Sequence, residues 1–306
     1  MKKEENIPYT FESLFDLHRV LGLPKPLHPL ISLAENKTNE IDPGKMPGSF
    51  IYNFYKIAYK KNLSGKLKYG QSYYDFDEGG LFFKAPNQVS STHGENSEDH
   101  RGFTLLFHPD FLAAYPLAKK IKQYSFFSYS VNEALHLSDK EKETIISVFK
   151  NIDEELQNRI DDFSQDVIIS QIETLLNYSN RFYKRQFITR KPASNDLLQK
   201  LEATLDDYFS SERCLTEGIP TVQSLAATLN ISPGYLSDML RSLTGQGAQQ
   251  HIHNKLIEKA KEKISTTSLT ISEIAYELGF EHPSSFNKLF KSRTSLSPLE
   301  FRKSFN

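Results

Sequence analysis

The chain has 306 residues, 38% apolar and 25% charged. That length predicts two globular domains with ordinary cores, and the composition excludes a disordered or fibrous chain. The formal net charge is −1, so any nucleic-acid surface must be local, not a property of the whole chain. No run reaches the ~20 apolar residues of a membrane span, and the start MKKEENIPYT lacks the apolar core of a secretory leader. The single cysteine, Cys214, cannot build an internal disulfide framework. A reducing cytoplasm is the expected location, with no membrane partner.

In chain order, Phe11–Gly22 has helical spacing and stops at Gly22 ahead of Pro24. Four strands are predicted at Ser49–Tyr59, Lys66–Phe76, Gly80–Pro86 and Arg101–Phe107, rich in aromatic and β-branched residues and separated by the turns NLSG and DEGG. The polar stretch Gln88–His100 reads as a loop. The aromatics of these strands (Tyr52, Phe54, Tyr55, Tyr73, Tyr74, Phe76, Phe82 and Phe83) either line a pocket for an apolar or aromatic ligand or simply pack a barrel.

Past His108 the period changes to that of a helix. Pro109–Tyr124 is predicted helical with one interruption at Pro116. Ser138 and Glu141 form a capping box, and Ile145, Ile146, Phe149, Ile152 and Leu156 then lie on one stripe. Val167, Ile168, Ile172, Leu175 and Leu176 mark the next helix, running towards Phe187. Strands followed by helices predict an α+β class, a small antiparallel barrel or sandwich with a helical hairpin beside it. The stripes read as core, and what they leave uncovered on helices 138–160 and 163–187 is the expected homodimer seam, with Ile146 and Leu175 as its probes. Arg181, Lys184, Arg185, Arg190 and Lys191, then Pro192 and Ser194, read as a helix end running into a linker at 188–195. The expected domains are 1–190 and 191–306.

The last hundred residues contain a repeat. Val222, Leu225, Ala226 and Leu229 match Ile271, Ile274, Ala275 and Leu278 at an offset of 49. After one inserted residue at His282 the offset is 50, and Pro233, Leu236, Met239 and Leu240 match Pro283, Phe286, Leu289 and Phe290. Each copy reads as a helix, a short turn and a second helix opening at a proline, where a missing N–H costs nothing. Small Ala226 and Ala275 allow a close crossing, and the i, i+3, i+4 triplets anchor the second helix. This is helix-turn-helix layout, with the second helix offered to a DNA major groove. A long helix, Gln249–Ser265, joins the copies. At 1.5 Å per residue it spans ~25 Å, enough with its end turns to place two reading helices on neighbouring groove segments ~34 Å apart.

The segments SLAATLNISPGYLSDMLRSLTGQ, IEKAKEKI, ISEIAYELGFEHPSSFNKLFKSRTSLSP and EFR resemble the DNA-binding domain of AraC-type (AraC/XylS) transcriptional regulators. The match covers about a third of the chain. The front half, DFDEGGLFFKAP above all, is similar to that family's cupin-like regulatory domain. Two positions depart from the family pattern. Leu256 stands where an arginine is frequent, and Thr294–Ser295 replaces threonine–glycine. The resemblance implies a double-stranded DNA partner, contact with RNA polymerase, and a front domain that controls oligomeric state or helix presentation, with or without a small-molecule effector.

Subtracting the anchors leaves Ser284, Ser285, Asn287, Lys288 and Lys291 facing outward on the second reading helix. Asparagine can bond an adenine edge at two points, and lysine suits guanine or phosphate. His282 and Ser284 stand at the helix start, where backbone N–H groups suit a phosphate. Lys288, Lys291, Arg293, Arg302 and Lys303 make this end locally basic against Glu300. On the first reading helix the outward set is Gly234, Tyr235, Ser237, Asp238 and Arg241. Asp238 either accepts from a cytosine amino group or pairs with Arg241. Helix 196–210 carries Asp196, Glu202, Asp206 and Asp207 and is expected to face away from DNA.

Nothing points to catalysis. His93, His100 and His108 lack the spacing of a metal-binding cupin, and His251 and His253 diverge by ~200° on a helix. Asp75, Asp77 and Glu78 sit in a turn, where acids are common. No glycine-rich phosphate loop, GxSxG or CxxC is present. No catalytic residue, metal or cofactor is expected, which disfavours a cupin enzyme fused to a helical domain.

Overall fold

The computed structural model describes residues 8–36, 46–61, 67–69, 72–74, 79–91, 101–130, 133–158, 163–189, 191–211 and 213–304, with the side chains of 67–69, 72–74 and 191–193 left aside. It divides into two units, Met1–Gln186 and Phe187–Asn306.

The first unit is built on strands. β1 (Tyr9–Phe11) leads to α1 (Leu14–Leu21), which Ser13 caps by accepting from the Asp16 N–H at 3.1 Å and Gly22 ends at φ 70°. The other strands are β2 (Ile31–Asn36), β3 (Ser49–Tyr52), β4 (Tyr55–Lys60), β5 (Leu67–Tyr69), β6 (Ser72–Tyr74), β7 (Gly80–Lys84), β8 (Val89–Ser91), β9 (Gly102–Phe107) and β10 (Leu135–His136). Five of them form an antiparallel sheet in the order β10-β7-β4-β9-β2; β1-β3-β8 form a second sheet and β5-β6 a hairpin.

Several expected elements divide differently. Ser49–Tyr59 is not one strand, because Phe54 turns fully inward and the Asn53 N–H donates to the Phe11 carbonyl, so β3 and β4 belong to different sheets. Lys66–Phe76 contains the β5-β6 pair; Lys66, Asp75 and Phe76 lie outside the described residues. Val89–Ser91, read as loop, is a strand paired with β3, and its Ser90 hydroxyl accepts from Lys84 Nζ at 2.6 Å. Pro109–Tyr124 is not one helix. It breaks into a 3-10 turn at Pro109–Leu112, α2 (Leu117–Lys120) and a 3-10 turn at Ile121–Gln123, since Pro116 cannot continue an α-helical ladder.

Alternation along the central sheet sets two faces. Tyr55, Ile57 and Tyr59 register with Phe107, Leu105 and Phe103, and all six are buried. Helices cover this face. α3 (Asp139–Gln157) stacks Phe149 on Phe103 at 5.3 Å, and α4 (Ser164–Thr189) brings Tyr183 to Phe83. On the opposite face Leu106 joins Phe11, Leu14, Leu17, Phe50, Tyr52 and Phe54 in one cluster under α1 and the second sheet. The capping bond is present, the Ser138 N–H donating to Glu141 at 2.9 Å. Arg185 clamps that same carboxylate at 2.6 and 3.1 Å, tying α4 to the start of α3. The two apolar stripes are core. Ile145, Ile172, Leu175 and Leu176 are fully buried, while Ile146 is half-buried. A charge at Leu175 therefore tests folding and not assembly, which corrects its choice as a seam probe.

The second unit is helical: α5 (Lys191–Ser210), α6 (Arg213–Glu217), α7 (Val222–Thr228), α8 (Pro233–Thr244), α9 (Ala248–Thr266), α10 (Ile271–Glu277), α11 (Pro283–Thr294) and α12 (Pro298–Lys303). Within the expected linker at 188–195, α4 ends at Thr189 and α5 starts at Lys191 with Pro192 in its first turn. Leu256 is fully buried in α9. Burial pushes the Cys214 thiol up to about 11, so the single cysteine is a core residue and not a reactive one.

The repeat holds at atomic level. Thr221 accepts from the Ser224 N–H at 3.0 Å, and Thr270 accepts from the Glu273 N–H at 3.2 Å. The turn after each first helix needs a left-handed residue, Asn230 at φ 55° and Gly279 at φ 88°. Each second helix ends alike. Thr244 donates to the Leu240 carbonyl at 2.8 Å and Thr294 to the Phe290 carbonyl at 2.9 Å, followed by Gly245 at φ 75° and Ser295 at φ 66°. Ser295 thus holds a conformation that glycine adopts freely and that costs an L-residue about 1–2 kcal/mol. Ser295→Gly is expected to stabilise the protein by about 1 kcal/mol, read as a rise in the midpoint of thermal or urea unfolding, with Gly245→Ser shifting it the other way.

Candidate nucleic-acid interface

The outward face of α11 follows from what its inward face must bury. Phe286 and Phe290 are fully buried and contact each other at 5.7 Å, with Phe280 and Phe301 at 5.4 and 5.5 Å from them. Ser284, Ser285, Asn287, Lys288 and Lys291 are left exposed, as expected. Ser284, Lys288 and Lys291 fall at i, i+4 and i+7 on one line, a strip of donors flanked by Asn287. His282 is exposed at the start of the helix and makes no side-chain cap bond. Glu300, near Lys291 and Lys303, is engaged as a cap; hydrogen bonds from Ser297 hold its carboxyl below the usual range.

On α8, Leu236, Met239 and Leu240 are buried as anchors. Ser237 is half-buried, and Asp238 pairs with Arg241 at 3.0 Å. Pairing within the helix is thus the arrangement present, with Arg241 still 63% exposed. Tyr235 is a correction. Its ring is 8% exposed and meets Phe187 edge-on at 5.1 Å, so it belongs to the core and not to the outward set. The counterpart in the second repeat is Ser285, which hid this asymmetry, although a tyrosine's large apolar body was the signal for burial.

Arg293 is exposed in the last turn of α11, as are Lys288 and Lys291, and donates to Nδ1 of His253 on α9 at 3.2 Å. Arg302 is half-buried, with Nε and Nη2 enclosed and unbonded among the described residues, so Lys303 is the better exposed cation of α12. His251 and His253, weighed in the sequence only as metal ligands, instead reach different helices. His251 Nε2 bonds the Thr244 hydroxyl at 2.9 Å. α9 has 19 residues, ~28 Å at 1.5 Å each, against the ~34 Å groove repeat.

The front unit offers less to a ligand. Tyr52, Phe54, Tyr55 and Phe83 are buried packing residues, while Phe82 lines a recess with Lys56, Lys60, Lys84, Phe126 and Tyr129 of about 50 Å³. A wider groove of about 740 Å³ runs along β2, between Leu23–Leu27 and the end of α3. Of the histidines and acids weighed for a metal, His93, His100, Asp77 and Glu78 lie outside the described residues; His108 caps the Asp110 N–H at 3.2 Å.

A helix-turn-helix domain family matches residues 225–304, spanning α8 to α12 and most of α7. An uncharacterized HTH-type transcriptional regulator of Bacillus subtilis, YfiF, is 24% identical over 262 residues, 82% of this chain and 77% of that protein. The HTH-type transcriptional activator RhaS of Klebsiella pneumoniae is 26% identical over 140 residues, 45% of this chain and 45% of its own. The second unit thus carries an AraC-type helix-turn-helix domain, and the relatives of this chain are HTH-type transcriptional regulators. Among solved structures, the C-terminal domain of AraT, a response regulator from Geobacillus stearothermophilus, is 29% identical, covering 35% of this chain and 84% of that chain at a TM-score of 0.32. Among the described residues, no helix is long and apolar enough to cross a membrane.

Asn287 and Lys288 are expected to separate readout from attraction. Asn287→Ala is expected to cost about 1–3 kcal/mol on the preferred duplex and to relax preference at one base position. Lys288→Ala is expected to weaken all sequences alike and to reduce the slope of log affinity against log salt by about 1. Filter-binding or anisotropy titrations at several salt concentrations distinguish the two.

Proposed function

We propose that the regulator reads two adjacent major-groove segments of double-stranded DNA, one with each second helix of the repeat. Ser237, Asp238 and Arg241 act on α8, and His282, Ser284, Ser285, Asn287, Lys288 and Lys291 act on α11. The observation that carries this reading is the duplicated frame, with threonine caps, Pro233 and Pro283 at helix starts and a left-handed residue at each helix end, on either side of α9. The roles are uneven. α11 is cationic and holds phosphate as well as bases, while α8 keeps Arg241 against Asp238 and contributes selectivity more than attraction.

The front domain, residues 1–190 and cupin-like by resemblance, governs oligomeric state or helix presentation and so access of RNA polymerase to the promoter. The protein acts in the cytoplasm, without catalysis or cofactor, as a homodimer joined through the outer faces of α3 and α4. A second reading, in which the front domain only dimerises or binds a partner protein, is supported by the recess of about 50 Å³, well below the ~300–1,000 Å³ of usual ligand pockets. The groove along β2 has the volume for an effector and supports the first. Coupling an effector to DNA requires different affinities in two states.

Selection of duplexes from a random pool tests the reading. The full chain is expected to enrich two blocks about one helical turn apart, with one block blurred when Asn287 and Lys288 are both alanine. Enrichment of a single block overturns the two-helix reading. Val167 on α4 is 40% exposed, so Val167→Asp is expected to keep the fold and lower the sedimenting mass from dimer to monomer; an unchanged dimer mass removes that seam.

A further inference from the structure

The first two turns of α9 hold the C-terminal ends of both reading helices. His251 Nε2 lies 2.9 Å from the Thr244 hydroxyl, which closes α8. Two positions on, and ~200° around the helix, His253 Nδ1 receives the Arg293 guanidinium from the last turn of α11 at 3.2 Å. His253 Nε2 in turn meets the Gln249 side-chain amide at 2.9 Å, and Asn254 donates to the Gln246 side chain at 2.8 Å, bracing the short turn between α8 and α9.

The donor inventory fixes the chemistry of this knot. Arginine only donates, so Nδ1 of His253 carries its lone pair and the neutral imidazole has its hydrogen on Nε2, which bonds Gln249 when that amide is turned to present its oxygen. Burial first, then the Arg293 charge, hold His253 in that form by lowering its pKa. Thr244 spends its hydroxyl hydrogen on the Leu240 carbonyl at 2.8 Å, so its oxygen accepts from His251. The other repeat lacks this arrangement. At the offset of 50 the counterparts of His251 and His253 are Phe301 and Lys303, and Phe301 packs on Phe290 at 5.5 Å. Only the copy that must connect to a second reading helix carries the histidine pair.

We infer that this junction sets the angle between the two reading helices, and with it the spacing between the two DNA blocks that the regulator accepts. His251 and His253 are positioning residues that act through Thr244 and Arg293. The inference rests on α8 and α11 being the reading helices. It assigns Arg293 to the alignment of α11 rather than to a phosphate. A change of one base pair between blocks turns one block ~35° about the axis and moves it ~3.4 Å, so a stiff junction penalises wrong spacing and a loose one tolerates it.

The test uses the full-length chain and the two-block duplex recovered by selection, with the spacer shortened or lengthened by one base pair. Wild-type protein is expected to lose roughly tenfold or more in affinity for either altered spacer. His253→Leu is expected to cut that loss to roughly threefold or less while binding the best duplex nearly as before. His253→Gln, whose side-chain carbonyl can accept from Arg293, is expected to restore the penalty. Arg293→Ala is expected to behave like His253→Leu with an unchanged salt slope. If Arg293→Ala instead weakens every spacing equally and lowers the salt slope by about 1, the arginine is a phosphate contact and the junction is overturned. An unchanged spacer penalty in a folded His253→Leu overturns the junction but leaves the reading helices standing. Failure of wild-type protein to yield any two-block motif overturns both.

Discussion

Phe286 and Phe290 are fully buried on successive turns of α11, and every other side chain of that helix is oriented by their burial. Each contributes about 1.5–3 kcal/mol on leaving water, more than any single polar contact on the opposite side. A twelve-residue helix gains little from its own hydrogen bonds, so its presentation depends on these anchors and on the left-handed cap at its C-terminal end. Leu236, Met239 and Leu240 do the same for α8. Once the anchors are in place, the exposed strip from Ser284 to Lys291 has no freedom to rotate inward. The functional face is what the core leaves over.

The same frame supports two chemically different surfaces. Positions 288 and 291 are lysines, whereas their counterparts 238 and 241 are an aspartate and an arginine bonded to each other. An ion pair on an exposed helix face is worth only a few tenths of a kcal/mol, so Arg241 can leave Asp238 for a base or a phosphate at small cost. In the proposed reading Lys288 and Lys291 release counterions on binding any duplex. Affinity then concentrates on one helix, and selectivity can be held on the other.

The helical unit was largely legible in the sequence because its repeat compares the chain with itself. Two copies of Thr, Ala, Pro and the i, i+3, i+4 triplet fix element type, length and facing together, and the exposed set of α11 followed directly. Legibility failed where one copy has no counterpart. Tyr235 is buried because Phe187, from before the repeat, supplies a wall that Ser285 lacks. Arg293, exposed as it is, reaches His253, and nothing in the spacing of α11 alone reveals a partner 40 residues away. The strand unit was less legible for a related reason. Asn53-Phe54 breaks a run that propensity favours, and Val89–Ser91 becomes a strand by pairing with β3 despite its polar surroundings. Such choices are made by distant partners.

The asymmetry between the copies locates where adjustment is possible. Anchors, caps and left-handed turns are shared by both, as a reading head requires whatever sequence it reads. What differs lies at the edges: the outward residues, proposed above to choose bases, and the residues against the far end of each second helix. There the last copy has Phe301, an apolar plug with one good position against Phe290. The first has two histidines and a run of amides, Gln246, Gln249 and Asn254, whose bonds are directional and replaceable without a cavity. A core contact resists change because a lost methylene costs stability wherever it occurs. A polar junction at a partly exposed helix end can be exchanged at about the cost of one hydrogen bond. In the proposed reading, base preference and block spacing sit on separate residues, and each can change without disturbing the fold that carries both.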